Sequence, residues 1–366
     1  MRVATPHMGN ISIALNTAFR ELGIGNIVPP PNTRRTLSLG VRYSPETVCL
    51  PFKVTLGNFI EALELGADTL VMPAGRGLCR FGYYAKLQEE ILRELGYKFR
   101  MATVDLFGGK IFSVIRLFKE LSNASYLKVI SVVRFGLAKL AAMDEVERVV
   151  HQVRAVEIKK GTASKLFKEA LTAISEAEDY SSLKRIKANY LEKLREVPAN
   201  HEANPIKVGV IGEFYVLLEP FVNMDIEVEL GKLGVEVKRS IFVSEWTKFS
   251  LFLNFFGITE KEKLHKAAEP WLRRDVGGDG WETVGHKVLD ADHCDGLIHL
   301  TPFTCMPETI AQNILPSIKN DVPLLTIVCD EQMGKAGMLT RLEAFVDLLK
   351  RRKARKEKYQ KFQQGF

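Results

Sequence analysis

The chain has 366 residues, 46% of them hydrophobic and 26% charged, with a formal net charge of +7. That balance is the balance of a soluble globular protein, and the length calls for two or three domains around separate cores. No apolar run approaches the roughly 20 residues of a membrane helix, and the N-terminus lacks the apolar core of a signal peptide. A cytoplasmic protein without a membrane segment is therefore expected. Five widely spread cysteines do not form a disulfide framework and point to metal binding or reactive thiols in a reducing compartment.

The first segment alternates strands with helices. A strand is predicted over 3–5, a helix over 11–22 and a second strand over 26–28, stopped by the proline run 29–31. After Cys49 the pattern is helical over 54–65. A strand over 69–72 ends at Pro73, and the loop bearing Cys79 follows. A helix over 83–95 and a strand over 98–104 complete the segment. Such alternation predicts a parallel sheet covered by helices.

From about Gly109 the pattern becomes helical, with long stretches at 110–121 and 132–158, until Pro198, Asn200 and Pro205 mark a linker. Alternation then returns. Strands are predicted over 207–212, 234–238, 296–300 and 324–328, and helices over 224–233 and 308–318. Helical and glycine-rich material covers 245–285. The final helix begins near Met338 and runs into the basic stretch 350–358, a solvated helix end with cations at the negative end of the dipole. No recognition motif accompanies that charge, so nucleic-acid binding is not expected.

The expected fold class is α/β, with two Rossmann-like parallel-sheet domains facing across a cleft and a helical middle segment. The first domain, 1–108, carries Cys49 and Cys79. Residues 109–204 form the helical segment and linker, 205–349 the second domain with Cys305, and 350–366 a basic helical tail. The domains echo one another: in each, a strand ending in proline runs through a short loop to a cysteine and then a helix. Both loops leave the carboxyl end of a strand, where open α/β sheets place their ligands.

Cys49, Cys79 and Cys305 each lie among Pro or Gly residues that force tight loops. Two readings stand side by side. The cysteines are small buried hydrophobes, as free cysteine often is, or they converge from both domains on one metal centre. Zinc is the weaker metal reading, because structural zinc shows paired close ligands. Three thiolates can hold a [4Fe–4S] cluster and leave one iron open. Helix N-termini after the cysteines, with Lys53, Arg76 and Arg80, would favour the anionic centre and lower the thiol pKa values. Cys294 and Cys329 fit a structural role better, and His299, inside a strand, is expected to be a core residue.

Glu213 and Tyr215 follow a strong strand end and are candidate catalytic groups: Glu213 as acid, base or hydrogen-bond anchor, Tyr215 as donor to a substrate carbonyl. Capping and packing explain them equally well. The same holds for Asp330 and Glu331 at the end of the last strand. Thr340-Arg-Leu-Glu343 is expected to open the final helix, with Arg341 pairing a carboxylate. There is no phosphate loop, dinucleotide fingerprint or nucleophile elbow.

The stretches Glu46-Thr-Val-Cys-Leu-Pro-Phe-Lys53, Cys79-Arg-Phe-Gly-Tyr-Tyr84, Gly212-Glu-Phe-Tyr-Val216, Thr301-Pro-Phe-Thr-Cys-Met-Pro-Glu308 and Asp330-Glu-Gln-Met-Gly-Lys-Ala-Gly337, with Thr340-Arg-Leu-Glu-Ala-Phe345, resemble the 2-hydroxyacyl-CoA dehydratase and benzoyl-CoA reductase subunit superfamily. The match is closest to its CoA-enzyme-activase-related branch. The resemblance implies an oxygen-sensitive [4Fe–4S] cluster between two Rossmann-like domains, with Cys49, Cys79 and Cys305 as ligands. It implies low-potential electrons from an ATP-dependent iron–sulfur activator, used for dehydration or reduction of a substrate, an acyl-CoA thioester being one candidate. It also implies a homodimer, or a heterodimer with a related subunit. Five cysteines are fewer than the six that an all-cysteine double cubane would take, so a single cubane is expected. The alternative is a non-catalytic electron relay, cluster carrier or maturation partner.

Overall fold

The structure, a computed structural model, describes residues 1–75, 77–105, 111–200, 202–245 and 260–364. It is α/β, with two four-stranded sheets in which all neighbouring strands run parallel. The first sheet, ordered β2-β1-β3-β4, consists of β1 (Arg2–Ala4), β2 (Gly25–Asn26), β3 (Thr69–Ala74) and β4 (Arg100–Asp105). The second, ordered β6-β5-β7-β8, consists of β5 (Ile206–Gly212), β6 (Val235–Arg239), β7 (Gly296–Pro302) and β8 (Leu324–Cys329). All seven residues of β7 are buried, as expected of a central parallel strand covered on both faces. The two expected Rossmann-like domains are thus present. Their likeness extends to topology: counted from its own first strand, each sheet has the order 2-1-3-4. A crevice opens at the carboxyl ends beside each first strand, where the chain departs to opposite sides.

The first domain carries α1 (Ile11–Glu21), α2 (Arg34–Tyr43), α3 (Leu50–Glu64) and α4 (Tyr84–Glu94). No element was expected between the proline run and Cys49, yet α2 stands there. Its signal is a capping box, in which Thr33 and Thr36 each bond the other's backbone N–H. Helix α3 starts earlier than its apolar periodicity suggested, because Pro51 suits a first turn. It is buried from Leu50 to Leu63 on all sides, so it has no polar face to generate a helical period.

The middle segment forms α5 (Ile111–Leu121), α6 (Tyr126–Val156), α7 (Thr162–Glu176) and α8 (Tyr180–Arg195). The second domain adds α9 (Phe214–Leu218), α10 (Ile226–Lys232), α11 (Glu260–Ala268), α12 (Gly280–Leu289), α13 (Met306–Ile314) and α14 (Lys335–Gln364). Helix α6 packs against α1 of the first domain and against α10 and β6 of the second, as well as against α5, so the middle segment buttresses both domains. A buried charge network fixes this junction: the Arg239 guanidinium meets Glu147 and, at 2.9 Å, Glu227, while His151 bonds Glu227 at 3.1 Å. Burial opposes the charge on Glu227, but Arg239 and His151 outweigh it and hold that carboxyl well below its usual range. No described helix is long and apolar enough to cross a membrane.

Candidate metal centre

Cys49, Cys79 and Cys305 line one cavity of about 260 Å³ between the two domains. Each occupies an N-cap position. Cys49 precedes α3, Cys305 precedes α13, and Cys79 precedes a short 3₁₀ turn (Arg80–Tyr83) that continues into α4. None of the three side chains caps its helix, and all three residues line the cavity. Cys79 and Cys305 occupy equivalent places, each in the loop after the third strand of its sheet.

Arg80 joins the cysteine loops. Its guanidinium donates to the Thr47 carbonyl at 2.8 Å and to the Thr304 carbonyl. Thr304 has φ +64°, a left-handed conformation rare for a β-branched residue and typical of constrained functional loops. Behind the cavity an aromatic run closes the domains on one another. Phe52 and Phe81 pack on Tyr84, and Phe81 meets Phe214 of the second domain edge-on at 5.3 Å. The Tyr84 hydroxyl hydrogen-bonds the Cys49 sulfur at 2.5 Å.

Glu213 stands at the carboxyl end of β5. Its place depends on Gly212, whose φ is +136° and whose added Cβ would fall 2.0 Å from the Leu300 carbonyl oxygen, so only glycine lets β5 and β7 close there. The Glu213 carboxylate caps α9, accepting from the Val216 N–H at 3.0 Å, and lines the cavity. Tyr215 does not. Its side chain is wholly buried, its hydroxyl finds no partner among the described residues, and it is absent from the lining.

The second wall comes from a region that the sequence pointed to only as glycine-rich. Gly277 lies against the Cys79 backbone, and Asp279, the N-cap of α12, accepts from the Phe214 N–H at 3.0 Å. Glu282 accepts from Lys261 at 2.6 Å and hydrogen-bonds His265 at 3.0 Å, and the His265 ring stacks on Trp281. Asp279, Glu282, Lys261 and His265 all line the cavity. The Gly-Gly-Asp-Gly run at 277–280 was the available signal, since glycines mark close backbone approach.

Lys53 and the start of the final helix depart from expectation, whereas His299, Cys294 and Cys329 do not. Lys53 does not reach the cavity: it is buried and pairs with Glu331 at 3.0 Å, tying α3 to the end of β8. Arg76 lies outside the described residues. The final helix opens at Lys335, before Thr340, and Arg341 forms no ion pair among the described residues. His299 is a core residue bonded to Glu308 at 2.7 Å, with Thr283 on the other Glu308 oxygen. Cys329 is buried at the end of β8, and Cys294 lies beside Gly209 before β7; neither lines the cavity.

The thiol pKa values are not lowered. Burial pushes Cys79 up to about 12 and raises Cys49 and Cys305 as well, with the nearby Glu213 carboxyl acting in the same direction on each. Burial likewise moves Glu213 to about 8 and Asp279 well above the carboxylate range. Burial thus favours the protonated forms of the three thiols, Glu213 and Asp279, and the helix N-termini do not overcome desolvation there. Thiolates there require an entering cation, so metal binding would release protons. No family model and no curated protein matches this chain.

Proposed function

We propose that this chain is an iron–sulfur protein of the 2-hydroxyacyl-CoA dehydratase type, holding a [4Fe–4S] cluster through Cys49, Cys79 and Cys305. The observation that carries the reading is the convergence of three N-cap cysteines, from both domains, on one cavity. Three thiols suit a cubane with one iron free of thiolate, and the cavity has room for its eight atoms.

When bound, the cluster supplies a low-potential electron and a Lewis-acidic iron for dehydration or reduction of a substrate, with an acyl-CoA thioester as the leading candidate. Electrons would come from a separate ATP-dependent iron–sulfur activator. The chain's own residues orient and shield. Arg80 holds the Cys49 and Cys305 loops together, the aromatic run excludes water from behind, and the Lys261–Glu282–His265 group forms a polar wall for a substrate. A relay with a fully thiolate-ligated cluster is less well supported, because Cys329 is not in the lining.

The test is anaerobic purification with iron and sulfide analysis and EPR on the wild type and on Cys49→Ser, Cys79→Ser, Cys305→Ser and Cys329→Ser. The expected result is four irons per chain in the wild type and in Cys329→Ser, with loss in the other three. Unchanged iron in those three would refute the ligand assignment.

A further inference from the structure

A second cavity, of about 460 Å³, opens where the first domain, the middle helices and the second domain meet, and it shares no described lining residue with the cysteine cavity. Its size is that of a small-molecule site. Two buried arginines line it, and their contacts differ. Every nitrogen of the Arg239 guanidinium is taken: Nε by the Ile241 carbonyl at 2.8 Å, the other two by Glu147 and Glu227. Arg154 is as buried, 6% exposed against 8%, yet only its Nε is bonded, to the Ser164 hydroxyl at 2.9 Å. Its two terminal nitrogens have no partner among the described residues, and neither is sealed away from solvent. Both are therefore open to the cavity that Arg154 lines.

The side chain is fixed in that pose. Its stem lies on Gly231, where an added Cβ would fall 2.8 Å from the Arg154 Cβ, and its guanidinium sits 6.0 Å from the centre of the Phe167 ring. Burial lowers the Arg154 pKa, and the carboxylates of Glu227, Glu147 and Glu157 act against that shift without cancelling it. A buried charge left without a partner is costly, and two parallel N–H groups match the edge of a carboxylate or phosphate. The lining around Arg154 suits an anion with an apolar body. Ser164, Phe167, Lys168 and Leu171 recur at helical spacing on one face of α7 and all line the cavity. Lys168 forms no ion pair among the described residues, and Leu217 and Val228 extend the apolar wall. The acids of the lining are engaged elsewhere. Arg239 holds Glu147 and Glu227, Lys335 meets Glu229 at 2.9 Å and Asp225 at 4.0 Å, and Glu219 accepts from the Gly9 N–H at 3.1 Å.

We propose that this cavity binds a small organic oxyanion, a carboxylate or a phosphate monoester with an apolar body, whose oxygens accept from the two terminal nitrogens of Arg154 while Lys168 adds a second positive charge to the same lining. The binding is non-covalent and independent of the cluster reading.

The test is isothermal titration calorimetry of the full-length protein with hexanoate, hexyl phosphate and, as neutral control, 1-hexanol. The wild type is expected to bind one or both anions at least tenfold more tightly than hexanol. Preference for hexanoate assigns a carboxylate and preference for hexyl phosphate a phosphate monoester; each supports the site. Arg154→Met should weaken the anion at least tenfold, and Arg154→Lys, which cannot form the two-pronged contact, should fall between. Lys165→Met, an exposed change outside the lining, should leave affinity unchanged. No preference for either anion over hexanol, or equal anion affinity in wild type and folded Arg154→Met, would overturn the proposal. Should Arg154→Met fail to fold, Lys168→Glu at its exposed position decides: a tenfold loss supports the site, and wild-type affinity refutes it.

Discussion

Replacing Glu213 by glutamine in the metal-free protein isolates the cost of a buried acid. Burial moves the carboxyl from an ordinary value of 4.5 to about 8 in the folded chain. Below pH 4.5 both states carry the proton and the group is neutral to stability. Between 4.5 and 8 the unfolded chain ionises while the folded one does not, so stability falls as pH rises. At about 1.4 kcal/mol per pH unit the full window costs about 5 kcal/mol. Above pH 8 the penalty is constant. Unfolding entropy scales to about 0.8 kcal/mol per degree for a chain of 366 residues, which makes the penalty about 6 °C in Tm. Glutamine keeps an acceptor for the Val216 N–H but cannot ionise. Scanning calorimetry of the two metal-free proteins from pH 4 to 9 should show Tm values that coincide near pH 4 and diverge to about 6 °C at pH 8.5, with the variant higher. A pH-independent Tm difference would refute the assignment of a raised carboxyl at this position.

Two further outcomes follow from the packing that holds the cysteine loops. Helices α2 and α3 cross backbone to backbone: a Cβ on Gly57 would fall 2.0 Å from the Thr36 carbonyl oxygen. Gly57→Ala should exceed the ordinary overpacking cost of about 1–3 kcal/mol, lowering Tm by at least about 4 °C and displacing Cys49 with the start of α3; an unchanged Tm would contradict the crossing. Arg80→Met removes both carbonyl contacts between the cysteine loops, and iron loss to a chelator should quicken at least tenfold, whereas Arg80→Lys, keeping one cation, should fall between. Equal chelation rates in all three proteins would show that the tie does not stabilise the site.

The sequence was most legible where side-chain pattern and backbone agree. The run 207–212 is apolar because β5 is covered on both faces, and Cys79 and Cys305 were conspicuous because each follows a proline-terminated strand. Helix α2 was hidden, since its strongest marker is the reciprocal Thr33–Thr36 cap rather than an apolar period. Lys53 was misplaced for a different reason. Its proximity to Cys49 in sequence suggested proximity to the cavity, but Lys53 stands one turn further along α3, and its ammonium reaches Glu331 beyond β8 instead. The second wall was invisible because Asp279, Glu282, Lys261 and His265 acquire meaning only when the 277–280 loop packs on Cys79.

The electrostatics of the cysteine cavity bear on the guest proposed for it. Three thiols, Glu213 and Asp279 line the cavity, and the lining residues Lys261 and His265 are engaged by Glu282. An anionic guest such as a free phosphate would meet acids without a free counterion among the described lining residues. A guest that suits the site must be cationic before ligation, large enough to span the sulfurs, and anionic once bound. The N-termini of α3, α12 and α13 open on the cavity and would offset part of the desolvation of an anionic bound centre. The proposed iron–sulfur core would meet these conditions: it carries positive charge alone, spans several ligands, and turns anionic with three thiolates. Duplicated sheet topology supplies the geometry, because two crevices at the carboxyl ends of like-ordered sheets, set face to face, bring N-termini and thiols from both domains to the same point.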